Sequence, residues 1–207
     1  MEINNFSLIR DLLSFGENTY YFLQIIQRRK DPGNEGMKSG TAGRYKNFIT
    51  RIETFDKMED EIKFLCKYYN ARAYIEVNPR SFESFSVLLA HKLFDRIYNR
   101  NFDNIHTVQN HIALDEGTIK TKGVIPCRRW MFDIDHKEDL EAVLEYVKAN
   151  NIKVVKQIPT VSGYHLLIEA FNHKGLGISL DKDFKIPGTE VTTCMKPAGN
   201  TLLYCNL

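Results

Sequence analysis

Asp133 and Asp135 flank a single apolar residue in the run Arg128-Arg-Trp-Met-Phe-Asp-Ile-Asp-His136. Side chains on a strand alternate faces, so both carboxylates point one way while Phe132 and Ile134 point into the opposite layer. Ionised carboxylates this close repel, and a divalent cation with hard oxygen ligands relieves the repulsion, which makes Mg²⁺ or Mn²⁺ the natural occupant. A second polar run, Thr160-Val-Ser-Gly-Tyr-His165, offers a hydroxyl, a turn glycine and an imidazole just ahead of apolar Leu166-Leu-Ile168.

Each run also has a plain structural reading. Asp135-His-Lys-Glu138 is a capping box, in which Asp135 caps a helix and Glu138 reaches back at its third residue. Ser162-Gly163 is an ordinary turn, and His165 taken alone suits a structural role. The two runs in this order are harder to account for in that way.

The elements between the runs determine whether they meet. Leu140, Val143, Leu144 and Val147 recur at helical spacing, and Ile152-Lys-Val-Val155 reads as a strand. A right-handed crossover lays that strand parallel to the aspartate strand, and a hairpin partner starting near Tyr164 brings His165 toward the carboxylates.

Phe132-Asp-Ile-Asp135 and Ser162-Gly-Tyr-His165, joined by one helix and one strand, resemble the archaeo-eukaryotic primase superfamily of primase-polymerases. Its motifs are hydrophobic-Asp-hydrophobic-Asp at a strand end and Ser-x-His before an apolar strand. The resemblance covers residues 128–171. It implies an RRM-like catalytic sheet and nucleotidyl transfer through two divalent ions held by three acids. One ion would activate the primer 3′-hydroxyl and the other would stabilise the pyrophosphate oxygens. Asp133 and Asp135 match two of the acids; Ser162, Gly163 and His165 match the part that contacts the nucleotide's phosphates. No third acid matches closely. Glu190, ahead of Val191-Thr-Thr193, is the leading candidate, followed by Asp183 and Asp181.

Two basic residues complete the expected nucleotide site. Arg80 follows Pro79 at a strand end or helix start, where a phosphate could meet free N–H groups, although a surface salt bridge would also explain it. Lys196, in Met-Lys-Pro-Ala-Gly199, can reach a triphosphate as a point charge.

Ahead of these, residues 5–15 read as a short helix and Thr19–Arg28 as a strand. A glycine-rich loop spans 31–43 and carries Lys38, suited either to contacting a nucleic-acid backbone or to forming a solvated tip. A strand over 45–54, a second capping box at Asp56-Lys-Met-Glu59, a strand over 73–77 and a helix to about Arg100 follow. Residues 101–127 read as connection with one short strand.

The expected fold class is therefore α+β, an RRM-like β-α-β-β sheet (111–207) fused to an N-terminal α/β subdomain (1–110) in one primase-polymerase-like domain. A net charge of +2 supplies no global basic footprint, so any nucleic-acid surface must be local. The four cysteines form no CxxC pair and imply no zinc. The opening residues lack the basic start of a signal peptide, and no apolar run spans a bilayer, so a cytoplasmic protein without a membrane partner is expected. The expected function is a metal-dependent DNA primase/polymerase-type nucleotidyltransferase. Nucleoside triphosphates and a single-stranded DNA or RNA template would be its partners, with strand opening left to a separate helicase. Two other functions fit the same residues: an inactive relative that binds nucleotide or nucleic acid, and a metal-dependent nuclease.

Overall fold

In the computed structural model, which describes residues 1–120, 123–197 and 200–207, strand β2 (Thr19–Arg28) is apolar on both faces and is paired along both edges in the first sheet. The elements ahead of it are β1 (Glu2–Asn4) and α1 (Phe6–Arg10). β3 (Thr41–Ile49), α2 (Ile52–Lys57), α3 (Glu59–Tyr69), β4 (Arg72–Glu76), β5 (Arg80–Ser81), α4 (Phe82–Tyr98) and α5 (Val108–Ile112) follow. The remaining elements are β6 (Arg129–Ile134), α6 (Leu140–Ala149), β7 (Val154–Pro159), β8 (Tyr164–Glu169), β9 (Asp183–Lys185), β10 (Thr192–Lys196) and β11 (Asn200–Asn206).

These elements make a mixed α+β structure with two antiparallel sheets. The first runs β1-β11-β4-β2-β3, with β5 paired to the start of β2; the second runs β7-β8-β6-β10-β9. Leu23 and Ile25 of β2 face Ile62 and Cys66 of α3, whose apolar stripe recurs every fourth residue. On the other face Tyr20 and Phe22 meet Phe48, Phe82 and Phe85 in an aromatic cluster. Beyond this first turn α4 lies at the surface against α5: none of its residues is fully buried, and Phe94 and Tyr98 stack in the open.

In the second sheet Phe132, Ile134, Leu166 and Ile168 pack on Val143 and Val147 of α6. β7 and β6 are each antiparallel to β8, so they run parallel with β8 between them. Met131, Ile158 and Leu167 on the opposite face join the core of the first sheet. Buried Asn78 stitches the two sheets together: its Oδ1 accepts from Arg129 N at 2.8 Å and its Nδ2 donates to Arg129 O at 2.9 Å.

Several sequence expectations are corrected here. β11 completes the first sheet, so the division at residue 110 does not follow the sheets. Neither capping box forms: Asp56 lies inside α2 and pairs with Arg10, while no side chain caps the turn after Asp135 or the start of α6. The loop after β2 is pinned rather than free, because buried Asn34 donates to the Asn70 carbonyl at 2.9 Å and Asn70 donates to Pro32 O at 2.5 Å. Among the described residues, 101–127 hold α5 and two 3-10 turns, and its only strand-like contact is an isolated bridge from Ile119 to Arg80. No helix among the described residues is long and apolar enough to cross a membrane.

Candidate active site

Asp133 on β6 and His165 on β8 are direct cross-strand partners. Opposed residues in an antiparallel pair share a face, so both project toward the first sheet. His165 Nε2 lies 3.5 Å from Asp133 Oδ1, and its Nδ1 lies 2.9 Å from the hydroxyl of Thr201, fully buried on β11. The first sheet thus fixes the orientation of a residue on the second. On the other side of β6, Lys196 of β10 sits opposite Met131 and its ammonium contacts Asp133 Oδ2.

These contacts control ionisation. Burial works to raise the Asp133 pKa, but hydrogen bonds from His165 and Lys196 outweigh it and hold the carboxyl well below the usual range. Burial likewise works against the Lys196 ammonium, and Asp133 more than offsets it, so its pKa lies above the ordinary value.

A tight turn joins β7 to β8. Thr160 N donates to Gly163 O at 2.9 Å, and Gly163 N donates back to Thr160 Oγ1 at 3.0 Å. The turn presses against the end of β6 so closely that a Cβ on Gly163 would lie 1.9 Å from Ile134 O. The glycine between Ser162 and His165 is therefore a steric requirement of the place where the two motifs meet.

The sheets enclose a cleft of about 440 Å³. One wall presents Asp133, Asp135, Ser162, His165 and Lys196; Arg28, Lys30, Arg72 and Tyr74 line the other. Arg72 is committed to buried Asp31 through both nitrogens of its fork. Among the described residues no ion pair involves Arg28 or Lys30, and Arg28 donates only to the Tyr74 hydroxyl, at 3.1 Å. An anion entering between the walls would meet both cations opposite the carboxylates. Mg²⁺ commonly takes one or two carboxylates and completes its shell with water and substrate phosphates, a donor set that Asp133 and Asp135 match for one ion.

No family model, curated protein or solved structure matches this chain.

Two expected members are absent from it. Arg80 is fully buried, with Nη1 donating to Asp115 O at 2.5 Å and to Thr118 Oγ1 at 2.7 Å, and Nη2 lying 3.2 Å from Glu76 Oε2. Pairing of β5 with β2 turns this guanidinium inward, so it is a structural ion and not a phosphate ligand. Arg80→Lys keeps the charge but loses the fork, and is expected to lower stability by about 1–2 kcal/mol with nucleotide affinity unchanged, read by urea unfolding beside a binding titration. Glu190 lies in the turn between β9 and β10, its side chain 95% exposed and paired with Lys185 at 2.6 Å. It reaches neither aspartate wall nor cleft. Asp183 shares a register row with Cys194 and Asp133, which places it two strands away, roughly 10 Å at ordinary strand spacing. Among the described residues no three His, Cys, Asp or Glu side chains gather as a metal cluster. The turn through Ala198 and Gly199 expected beside Lys196 lies outside the described residues.

Sequence reasoning missed Thr201, a threonine in an apolar strand with no motif to mark it. Arg28 and Lys30 were visible only as charges flanking a loop.

Proposed function

We propose that the cleft binds a nucleoside triphosphate with a divalent ion and transfers its nucleotidyl group to a primer end on single-stranded template. The observation that supports this best is the register pair Asp133–His165 in one cleft with Asp135, Ser162 and Lys196, facing Arg28 and Lys30. In this reading Asp133 and Asp135 hold the ion, which when bound would neutralise phosphate charge and polarise the reacting oxygens. Arg28 and Lys30 attract the triphosphate, and Lys196 holds a phosphate oxygen beside Asp133. His165, oriented by Thr201, offers an N–H to another phosphate oxygen. The triphosphate-sized cleft with cations on both walls favours transfer over phosphodiester hydrolysis, which needs no such convergence.

A binding protein without chemistry is the second reading, supported by the lack of a third carboxylate among the described residues of the cleft. His165→Ala serves both readings: nucleotide affinity is expected to fall about tenfold, the value of one hydrogen bond to a charged group, while Mn²⁺ affinity measured without nucleotide stays within twofold. Equal affinity for nucleotide in the variant would remove His165 from the phosphate site.

A further inference from the structure

Three adjacent strands present His165, Asp133 and Lys196 to one cleft, so the half-buried acid has a cationic neighbour on one flank and an imidazole on the other. The charges in this wall are few. Asp133 and Asp135 supply two negative charges, and Lys196 already balances one of them. Among the described residues no further acid lines the cleft: Asp31 is tied to Arg72, Glu190 points outward to Lys185, Asp183 is separated by Cys194, and Asp181 lies in the exposed turn ahead of β9. A second divalent ion would have to displace the Lys196 ammonium and then share the same two carboxylates.

We infer that this cleft takes a single divalent cation at Asp133 and Asp135, and that the Lys196 ammonium supplies the fixed positive charge that a second ion would otherwise bring. The inference rests on the nucleotidyl-transfer reading of the cleft and departs from the two-ion arrangement that the sequence resemblance implies. Lys196 and the ion then face the same substrate phosphates from neighbouring strands, one permanently and one exchangeably.

Mn²⁺ titration of the whole chain, alone and with a saturating non-hydrolysable nucleoside triphosphate, with free Mn²⁺ followed by electron paramagnetic resonance, tests the ion count. Wild type is expected to bind one Mn²⁺ per chain. Lys196→Glu replaces the ammonium with a third carboxylate and is expected to bind two. Lys196→Met removes a competing cation and is expected to keep one site, tightened about tenfold or more, the lower bound that Coulomb repulsion between a divalent ion and a unit charge about 5 Å apart sets in bulk water. Two Mn²⁺ of similar affinity in wild type would overturn the inference. So would none in wild type, or a folded Lys196→Glu that binds only one. Should thermal melting show Lys196→Glu unfolded, Lys196→Met decides, and unchanged affinity in that variant overturns the inference. Primer extension is scored separately: one ion without extension rejects the transfer reading alone, whereas two ions with extension rejects only the ion count.

Discussion

Gly163→Ala is expected to lower stability by about 3 kcal/mol or more and to abolish nucleotide binding, through one added methyl group. Its Cβ would lie 1.9 Å from Ile134 O and 2.8 Å from Asp135 C, both backbone atoms at the end of β6 that no rotamer change can move aside. The β7–β8 turn would have to back away, carrying Ser162 with it and breaking the register that sets His165 opposite Asp133. Gly36→Ala is the control: a Cβ there meets nothing within 4 Å, so its urea midpoint should match wild type. A Gly163→Ala protein as stable as wild type would mean that the turn does not bear on the aspartate strand.

The two aspartates are expected to part company in stability while agreeing in function. Asp133→Ala strands the Lys196 ammonium and the inner imidazole in a half-buried wall, and is expected to cost about 2 kcal/mol, below the range for a fully buried pair because Lys196 is 35% exposed. Asp135→Ala removes an exposed carboxylate with no ion pair among the described residues, and its melting should match wild type. Either change should remove Mn²⁺ binding. Adding Lys196→Met to Asp133→Ala should return most of the lost stability, since the orphaned charge goes with it. The pH dependence has a definite sign. Asp133 is depressed in the folded state, so its contribution is fully present above the unfolded value near 4 and drains away as pH falls below that toward the folded value. Asp133→Asn should flatten that part of the acid limb. Equal stability losses for the two alanine variants would contradict the asymmetry.

The contrast corrects a simple expectation. Read from sequence, the aspartates form a repelling pair; the structure gives Asp133 a cation of its own. The local pattern was legible: Thr19–Arg28 as a strand, the stripe of Leu140, Val143, Leu144 and Val147, and the hairpin that carries His165 all appear where period and turn chemistry put them. What escaped were the consequences of contacts far apart in sequence. Nothing local marks β11 as a strand of the first sheet or Thr201 as the partner of His165. Arg80 looked like a phosphate ligand because Pro79 ends a strand, yet burial against Glu76 follows only from pairing of β5 with β2. Glu190 stands ahead of a strand in the sequence, and the turn that precedes β10 carries it to the outside.

Primer extension on single-stranded DNA with labelled nucleotides and Mn²⁺ or Mg²⁺ tests the central claim most directly, comparing wild type with Asp133→Asn/Asp135→Asn, a pair that keeps the side-chain volume. The cleft reading requires product lengthening in wild type that disappears in the double variant while its fold persists. A wild-type protein that binds nucleotide and metal but lengthens no primer would contradict it and leave a binding site without the reaction.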